Sequence, residues 1–247
     1  MSGSTPSSKG CLVIAGGTGD IGAAIAREAA GYEGVVLLAR NDERCRAVCG
    51  TLTAPADYVC GDLGDEPFVA ASIAFALSRF RAIRAVINCQ GLLPPLRLIA
   101  ALDANSMDES YRITLRSPLL VMKHAAPALR TSRGALVNLA STSGLHANPL
   151  CAEYGAMKAA LIHVTRTFAQ EEGQVRANVI CPGWVRSRMM DRVLAQFDLT
   201  EAQAVTHTPA RRAAEPEEVA RLALWLCSDA ASYVSGAIYR IDGGGQP

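Results

Sequence analysis

The cluster Gly16-Gly17-Thr18-Gly19-Asp20-Ile21-Gly22 constrains this chain more than any other stretch. An apolar run, Cys11 to Ala15, leads into it, and a helical pattern from Ile21 to Ala30 leads out. Strand, glycine turn and helix in that order give spaced glycines a meaning. Gly17, Gly19 and Gly22 fit G-x-G-x-x-G. Bare backbone there lets a pyrophosphate approach the helix N-terminus, where unpaired N–H groups and the helix dipole attract anions.

The same alternation continues down the chain. Short apolar runs at 35–39, 57–60, 85–88, 135–140, 175–181 and 237–241 are separated by helical patterns. Continuous apolar runs, rather than alternating ones, are what strands of a parallel sheet buried on both faces require. The expected fold is α/β, a single-domain Rossmann-like doubly wound parallel sheet of about seven strands flanked by helices. Residues 1–9 read as a flexible polar tail without the apolar segment of a signal peptide. Residues 10–247 read as one Rossmann-fold domain, with a looser stretch at about 185–210 as a mobile lid. Ser106-x-x-Glu109 reads as a capping box that opens one long helix to about Leu129, with kinks expected at Pro118 or Pro127. The net charge of +1 offers no field for nucleic acid, and no apolar run is long enough to span a membrane. The eight cysteines form no Cys-x-x-Cys and several sit in apolar runs, as core residues of a reducing, cytoplasmic compartment do. No metal site is expected.

Chemistry concentrates between Ser141 and Lys158. Tyr154 and Lys158 are four apart, hence on one face of a helix. A lysine ammonium close to a phenol lowers its pKa toward working pH, which suits a general acid or base. Ser141 follows the 135–140 run and, at a strand end, points a hydroxyl into the crevice where such sheets bind ligands. Arg40 ends the second strand where an acid would bind a ribose 2′-OH; an arginine there accommodates a 2′-phosphate, which favours NADP(H) over NAD(H). Asp20 adds negative charge beside the phosphates and weakens that case slightly. Asp62 either accepts from an adenine amine or caps the helix that starts near Glu66. Leu92, Leu93, Leu145, His146, Leu150, Trp184, Met189 and Met190 form a candidate substrate wall, with Ser143 beside them. Arg186 and Arg188 flank the lid and either meet an anionic substrate group or lie on a solvated face.

These motifs, taken in order, resemble a short-chain dehydrogenase/reductase of the short single-domain branch, similar to bacterial 3-oxoacyl carrier-protein reductases. The resemblance runs from about Cys11 to Gly245 through the glycine turn, Asp62, Asn88…Gly91, Asn138-Leu-Ala-Ser141, Tyr154…Lys158, Asn178…Pro182-Gly183 and Ile241-Asp-Gly-Gly244. It implies that Tyr154 donates the proton, Ser141 holds the substrate oxygen, and Lys158 binds the nicotinamide ribose. It places Gly16 to Gly22, Arg40, Asp62, Leu63, Asn88, Gly91, Pro182, Gly183, Val185 and Ser187 around the cofactor. It implies a small carbonyl or alcohol substrate, a homotetramer, and an acyl carrier protein as one partner to consider. Three departures stand out. Ala15 and Asp20 replace a threonine and a glycine of the family's turn; Gln90 stands where the family has alanine; Thr114 takes the place of a catalytic asparagine. They motivate an alternative, a catalytically weakened cofactor-binding regulatory or assembly subunit. A further alternative is an NAD-dependent alcohol or dihydrodiol dehydrogenase.

Overall fold

Strand β1 (Cys11–Ala15) is buried at every position, so both of its faces must be covered. The computed structural model, which describes residues 10–245, covers them with helices; the expected tail at 1–9 lies outside the described residues. β2 (Gly34–Ala39) and β3 (Ala56–Cys60) extend the sheet on one side of β1. β4 (Ile83–Asn88), β5 (Ala135–Leu139), β6 (Arg176–Pro182) and β7 (Ile238–Ile241) extend it on the other. The order is β3-β2-β1-β4-β5-β6-β7, and every neighbouring pair is parallel. The chain reverses its direction of winding between β1 and β4, and the crevice at that switch point is where such sheets bind ligands.

Period-two alternation divides β1 between two cores. Cys11, Val13 and Ala15 face α3 (Glu66–Phe80), α5 (Ser117–Ser132) and α6 (Ala152–Glu171). Leu12 and Ile14 face α1 (Asp20–Glu28) and α9 (Pro216–Cys227). α2 (Asp42–Cys49) lies toward the β3 edge, buries only Cys45, and is capped by Asn41 accepting from the Arg44 N–H at 2.8 Å. Pro216 opens α9 at its first turn, and Glu215 and Glu218 form its capping box.

The long helix begins earlier than expected and is not continuous. Asp103 is its N-cap and accepts from Ser106 N at 2.8 Å, so Ser106 is not the cap; its hydroxyl bonds Glu153 at 3.1 Å instead. α4 (Ala104–Tyr111) then passes into a π-turn, Arg112–Arg116, before α5 resumes. The break therefore precedes Pro118 rather than falling at it. Pro118 has no N–H to return to the preceding turn, and the Ser117 hydroxyl donates to Ile113 O at 2.7 Å. The 185–210 stretch contains α7 (Arg188–Phe197), capped by Ser187, and the short α8 (Glu201–Ala204), with a Thr200–Gln203 capping box. No helix among the described residues is long and apolar enough to cross a membrane.

Candidate active site

The end of β5 and the first turns of α6 bring the three expected groups together. Ser141 opens a short 3-10 turn and its hydroxyl accepts from Ser143 N at 3.1 Å. Tyr154 and Lys158 lie on the buried face of α6, with the Lys158 Nζ 5.6 Å from the centre of the Tyr154 ring. Lys158 is only 3 % exposed and donates to the Leu139 carbonyl at 2.6 Å. Gly91 faces it: a Cβ there would lie 3.2 Å from Nζ, so bare backbone leaves the ammonium its space.

The electrostatics reverse one expectation. Burial raises the Tyr154 phenol above its ordinary pKa, and the hydrogen bond from Ser141 only moderates the rise. Burial also lowers Lys158, to about 8. Both groups sit in one poorly solvated pocket, and the lysine is tethered over the ring rather than at the hydroxyl. Desolvation therefore outweighs the lysine's attraction for a phenolate.

The glycine turn is a cradle that side chains would fill. Gly16 has φ +79°, and a Cβ there would lie 2.8 Å from Gln90 N. A Cβ on Gly22 would lie 2.5 Å from Gly16 O, and one on Gly17 would lie 2.8 Å from Leu37 Cδ2. Gly19 is the N-cap of α1, with no side chain capping that helix start. Its N–H groups remain available to an anion. The Asp20 carboxylate does not stand alone beside them: Arg188 of α7 pairs with it at 3.2 Å and also donates to Thr18 O at 2.8 Å. The turn and α7 are thus joined directly.

At the other end of the crevice Arg40 is exposed, close enough to Asp62 and Glu109 to act on both carboxylates. Asp62 is not a helix cap; Asp65 caps α3, accepting from Phe68 N at 3.3 Å. One Asp62 oxygen accepts from Gly64 N at 2.8 Å and the other is held by Arg112, which also forks onto Glu109 at 2.7 and 2.9 Å. Leu63 is buried beside it. Asn88 donates to Asn138 at 2.7 Å, and Asn138 in turn donates to Thr165 at 2.7 Å. Gln90 donates to Asn88 at 3.3 Å and lies outside the cleft wall, with its backbone against the glycine turn. Thr114 sits in the π-turn, where its hydroxyl accepts from Leu92 N at 3.0 Å; it pins the 92–95 loop and does not line the cleft.

The cleft itself encloses about 450 Å³. Leu93, Ser143, His146, Trp184, Met189 and Met190 line it, together with Ser141, Tyr154, Lys158, Ile21, Gly91, Pro182, Gly183, Val185 and Ser187. Leu92, Leu145 and Leu150 stay outside the wall. Lys158 is the only lysine in it, and there is no arginine. Arg186 is held by Glu201 at 2.9 Å and by Glu215, and Arg188 by Asp20, so neither meets the cleft as a free cation.

Residues 16–246 match the model of a family described as enoyl-(acyl carrier protein) reductase. The chain belongs to the short-chain dehydrogenase/reductase family. A-factor type gamma-butyrolactone 1′-reductase (1S-forming) of Streptomyces virginiae is 33 % identical over 94 % of this chain and 93 % of its own. 2,5-Dichloro-2,5-cyclohexadiene-1,4-diol dehydrogenase of Sphingobium indicum is 32 % identical over 96 % of this chain and 97 % of its own. The crystal structure of levodione reductase superposes with a TM-score of 0.90 at 28 % identity, over 95 % of this chain and 96 % of that one. This short-chain dehydrogenase/reductase is accordingly an oxidoreductase of hydroxyl and carbonyl groups, in a family that binds nicotinamide cofactors.

Several wall residues of this family member carry no local sequence signal. Leu96, Asn148, Val193, His207, Thr208 and Asp242 reach the cleft from five separate segments. Asn148 donates to the Ser143 hydroxyl at 2.9 Å, and Asp242 follows β7 next to Gly183. Only the Asp-Gly-Gly after the last strand offered a hint of the latter.

Proposed function

We propose an NADP(H)-dependent carbonyl reductase, reversible as an alcohol dehydrogenase, acting on an uncharged ring-bearing ketone of modest size. The carrying observation is the Ser141–Tyr154–Lys158 group opening on a mostly apolar cleft whose only lysine or arginine is Lys158. A carboxylate or phosphate arm would find no arginine there. This favours a free small molecule over a carrier-bound one and leaves the acyl carrier protein out of the reading. The ring follows the names of the two relatives, a butyrolactone reductase and a cyclohexadiene-diol dehydrogenase.

The cradle at Gly16, Gly17 and Gly22 and the uncapped start of α1 fit a dinucleotide pyrophosphate; Thr18, Gly19 and Ile21 complete that wall. Arg40, Asp62 and Leu63 would hold the adenosine end. Asn88, Gly91, Pro182, Gly183, Val185 and Ser187 would frame the nicotinamide end. When bound, the cofactor supplies or accepts the hydride. Tyr154 gives its proton to the substrate oxygen as negative charge develops on it, and Ser141 donates a hydrogen bond to the same atom. Its raised pKa keeps Tyr154 protonated and ready to donate. Lys158, charged below about 8, stabilises the phenolate left behind. Thr114 acts by holding Leu92 in the loop above the site. Residues 185–210 act as the lid that excludes water. Assembly as a homotetramer belongs to the same reading: Trp225, Tyr233 and Ile238 lie exposed around the β7 edge.

The test is titration with NADPH and NADH, followed by a panel of cyclic ketones. Tyr154→Phe should lower turnover by about 10²–10⁴-fold with nucleotide binding intact. Arg40→Asp should move preference from NADPH toward NADH. Nucleotide binding with no turnover on any ketone would favour the binding-subunit alternative, and wild-type preference for NADH would refute the Arg40 argument.

The Asp20–Arg188 pair carries a separate prediction. Both side chains are a third to a half exposed, so Arg188→Ala should change stability by less than about 1 kcal/mol. It should nonetheless speed nucleotide release severalfold, because it unfastens the lid from the turn. Stopped-flow displacement of NADPH measures this; an unchanged release rate would mean that the pair does not restrain the lid.

A further inference from the structure

We propose that Cys45 and Cys60 form a reversible dithiol/disulfide site that staples α2 to the end of β3. Their sulfurs lie 3.5 Å apart, joining two elements separated by fifteen positions. All eight cysteines are free. A disulfide needs about 2.05 Å, so a closure of ~1.5 Å is required. α2 can supply it. Cys45 is the only residue that helix buries, and the rest of its surface faces solvent or is partly covered. Among the described residues no group of three or more cysteines, histidines or acids is placed to hold a metal.

The order of events follows from exposure. Cys60 is partly exposed, whereas Cys45 is fully buried and burial pushes its thiol up to about 12. A hydroperoxide therefore meets Cys60 first. The Cys60 thiolate attacks the O–O bond; an S–O bond forms, the O–O bond breaks, and hydroxide leaves to become water. The Cys45 sulfur then attacks the Cys60 sulfenic acid; the S–S bond forms, the S–O bond breaks, and a second water leaves with the Cys45 proton. Two thiols and one hydroperoxide give one disulfide and, with hydrogen peroxide, two waters. A dithiol reductant reverses it by exchange. Cys49 lies one turn further along α2, turned toward Asp57 O at 3.9 Å, and is the competing partner to be excluded.

The site is linked to the nucleotide crevice, a consequence that rests on the proposed function. Cys60 pairs with Ala39 in the sheet, and Gly61 N donates to Ala39 O at 2.9 Å. Arg40 and the α2 cap Asn41 come next in the chain. Drawing Cys45 toward Cys60 moves the segment that carries Arg40. NADPH affinity should therefore fall by about fivefold on oxidation, and NADPH should disfavour the disulfide by the same factor.

The experiment treats the full-length protein with stoichiometric hydrogen peroxide, alkylates the remaining thiols, and maps peptides by mass. The expected result is a Cys45–Cys60 linked peptide with the loss of two hydrogens, reversed by dithiothreitol. It should persist in Cys49→Ser and vanish in Cys60→Ser and Cys45→Ser; the wild-type map decides the matter even if a serine variant misfolds. A Cys49 linkage, or oxidation that stops at a Cys60 sulfinic acid, would overturn the proposal. NADPH titration of both redox forms then tests the coupling. A linked peptide with unchanged NADPH affinity would overturn the coupling. Absence of binding in both forms would strike the proposed function, while the mass result stands on its own.

Discussion

Lys158→Met should raise the melting temperature at pH 7 while lowering turnover by about 10²-fold or more. Lys158 is 3 % exposed and its pKa is lowered from 10.5 to about 8 by burial. Holding the charge there costs on the order of 3 kcal/mol at neutral pH. Methionine has similar reach and no charge to bury. Loss of the 2.6 Å bond to Leu139 O gives back about 1 kcal/mol, leaving a net gain on the order of 1–2 kcal/mol. The sign of the pH dependence follows from proton counting. Between about 8 and 10.5 the unfolded lysine holds a proton that the folded one has lost. Wild-type stability from this group therefore rises with pH through that window, and its penalty is fully present below it. The stability gap between variant and wild type should be widest near pH 7 and nearly closed by pH 10, read from thermal melts. A variant less stable than wild type at pH 7 would mean that the buried ammonium is a net stabiliser.

That prediction turns on a property that residue spacing could not show. Tyr154 and Lys158 four apart on a helix identified the pair, but not how deeply both are buried. Depth decides the direction of their pKa shifts. The strands were legible for the opposite reason: runs such as Cys11–Ala15 and Ala135–Leu139 state their burial on both faces in their own composition. Local signals failed where a distant residue competed. Ser106 has the spacing of a helix cap, yet its hydroxyl is taken by Glu153 across the helix pair, and Asp103 caps instead. Asp20 read as a charge opposing the phosphates because its partner, Arg188, lies 168 positions away. The π-turn depends on how Thr114 meets Leu92 and how Ser117 meets Ile113, a matter of packing rather than of helix propensity. Arg186 and Arg188 read as either an anion site or a solvated face because no rule of spacing pairs them with Glu201 and Asp20.

The glycine turn shows the same division, and two substitutions separate its parts. Gly22→Ala should destabilise the fold by about 1–3 kcal/mol and abolish nucleotide binding. Its Cβ would lie 2.5 Å from Gly16 O and 2.9 Å from Gly17 Cα, both backbone atoms that move only with β1 and the turn itself. Gly19→Ala should behave differently. Gly19 has φ −71°, which any residue adopts, and its Cβ would meet only Gly16 O at 3.3 Å. As an N-cap, alanine is poorer than glycine by less than about 1 kcal/mol. Its methyl group would nevertheless stand at the uncapped start of α1, where the proposed pyrophosphate would approach. NADPH affinity should fall about tenfold while the melting temperature barely moves. In the G-x-G-x-x-G spacing Gly17, Gly19 and Gly22 look equivalent; in the structure Gly16, Gly17 and Gly22 are required by packing, whereas packing makes no such demand at Gly19, and the proposed cofactor would. Calorimetric titration of both variants beside thermal melts tests that assignment. If Gly19→Ala bound NADPH as the wild type does, the phosphate would not lie on this helix start, and the turn would be a packing device alone.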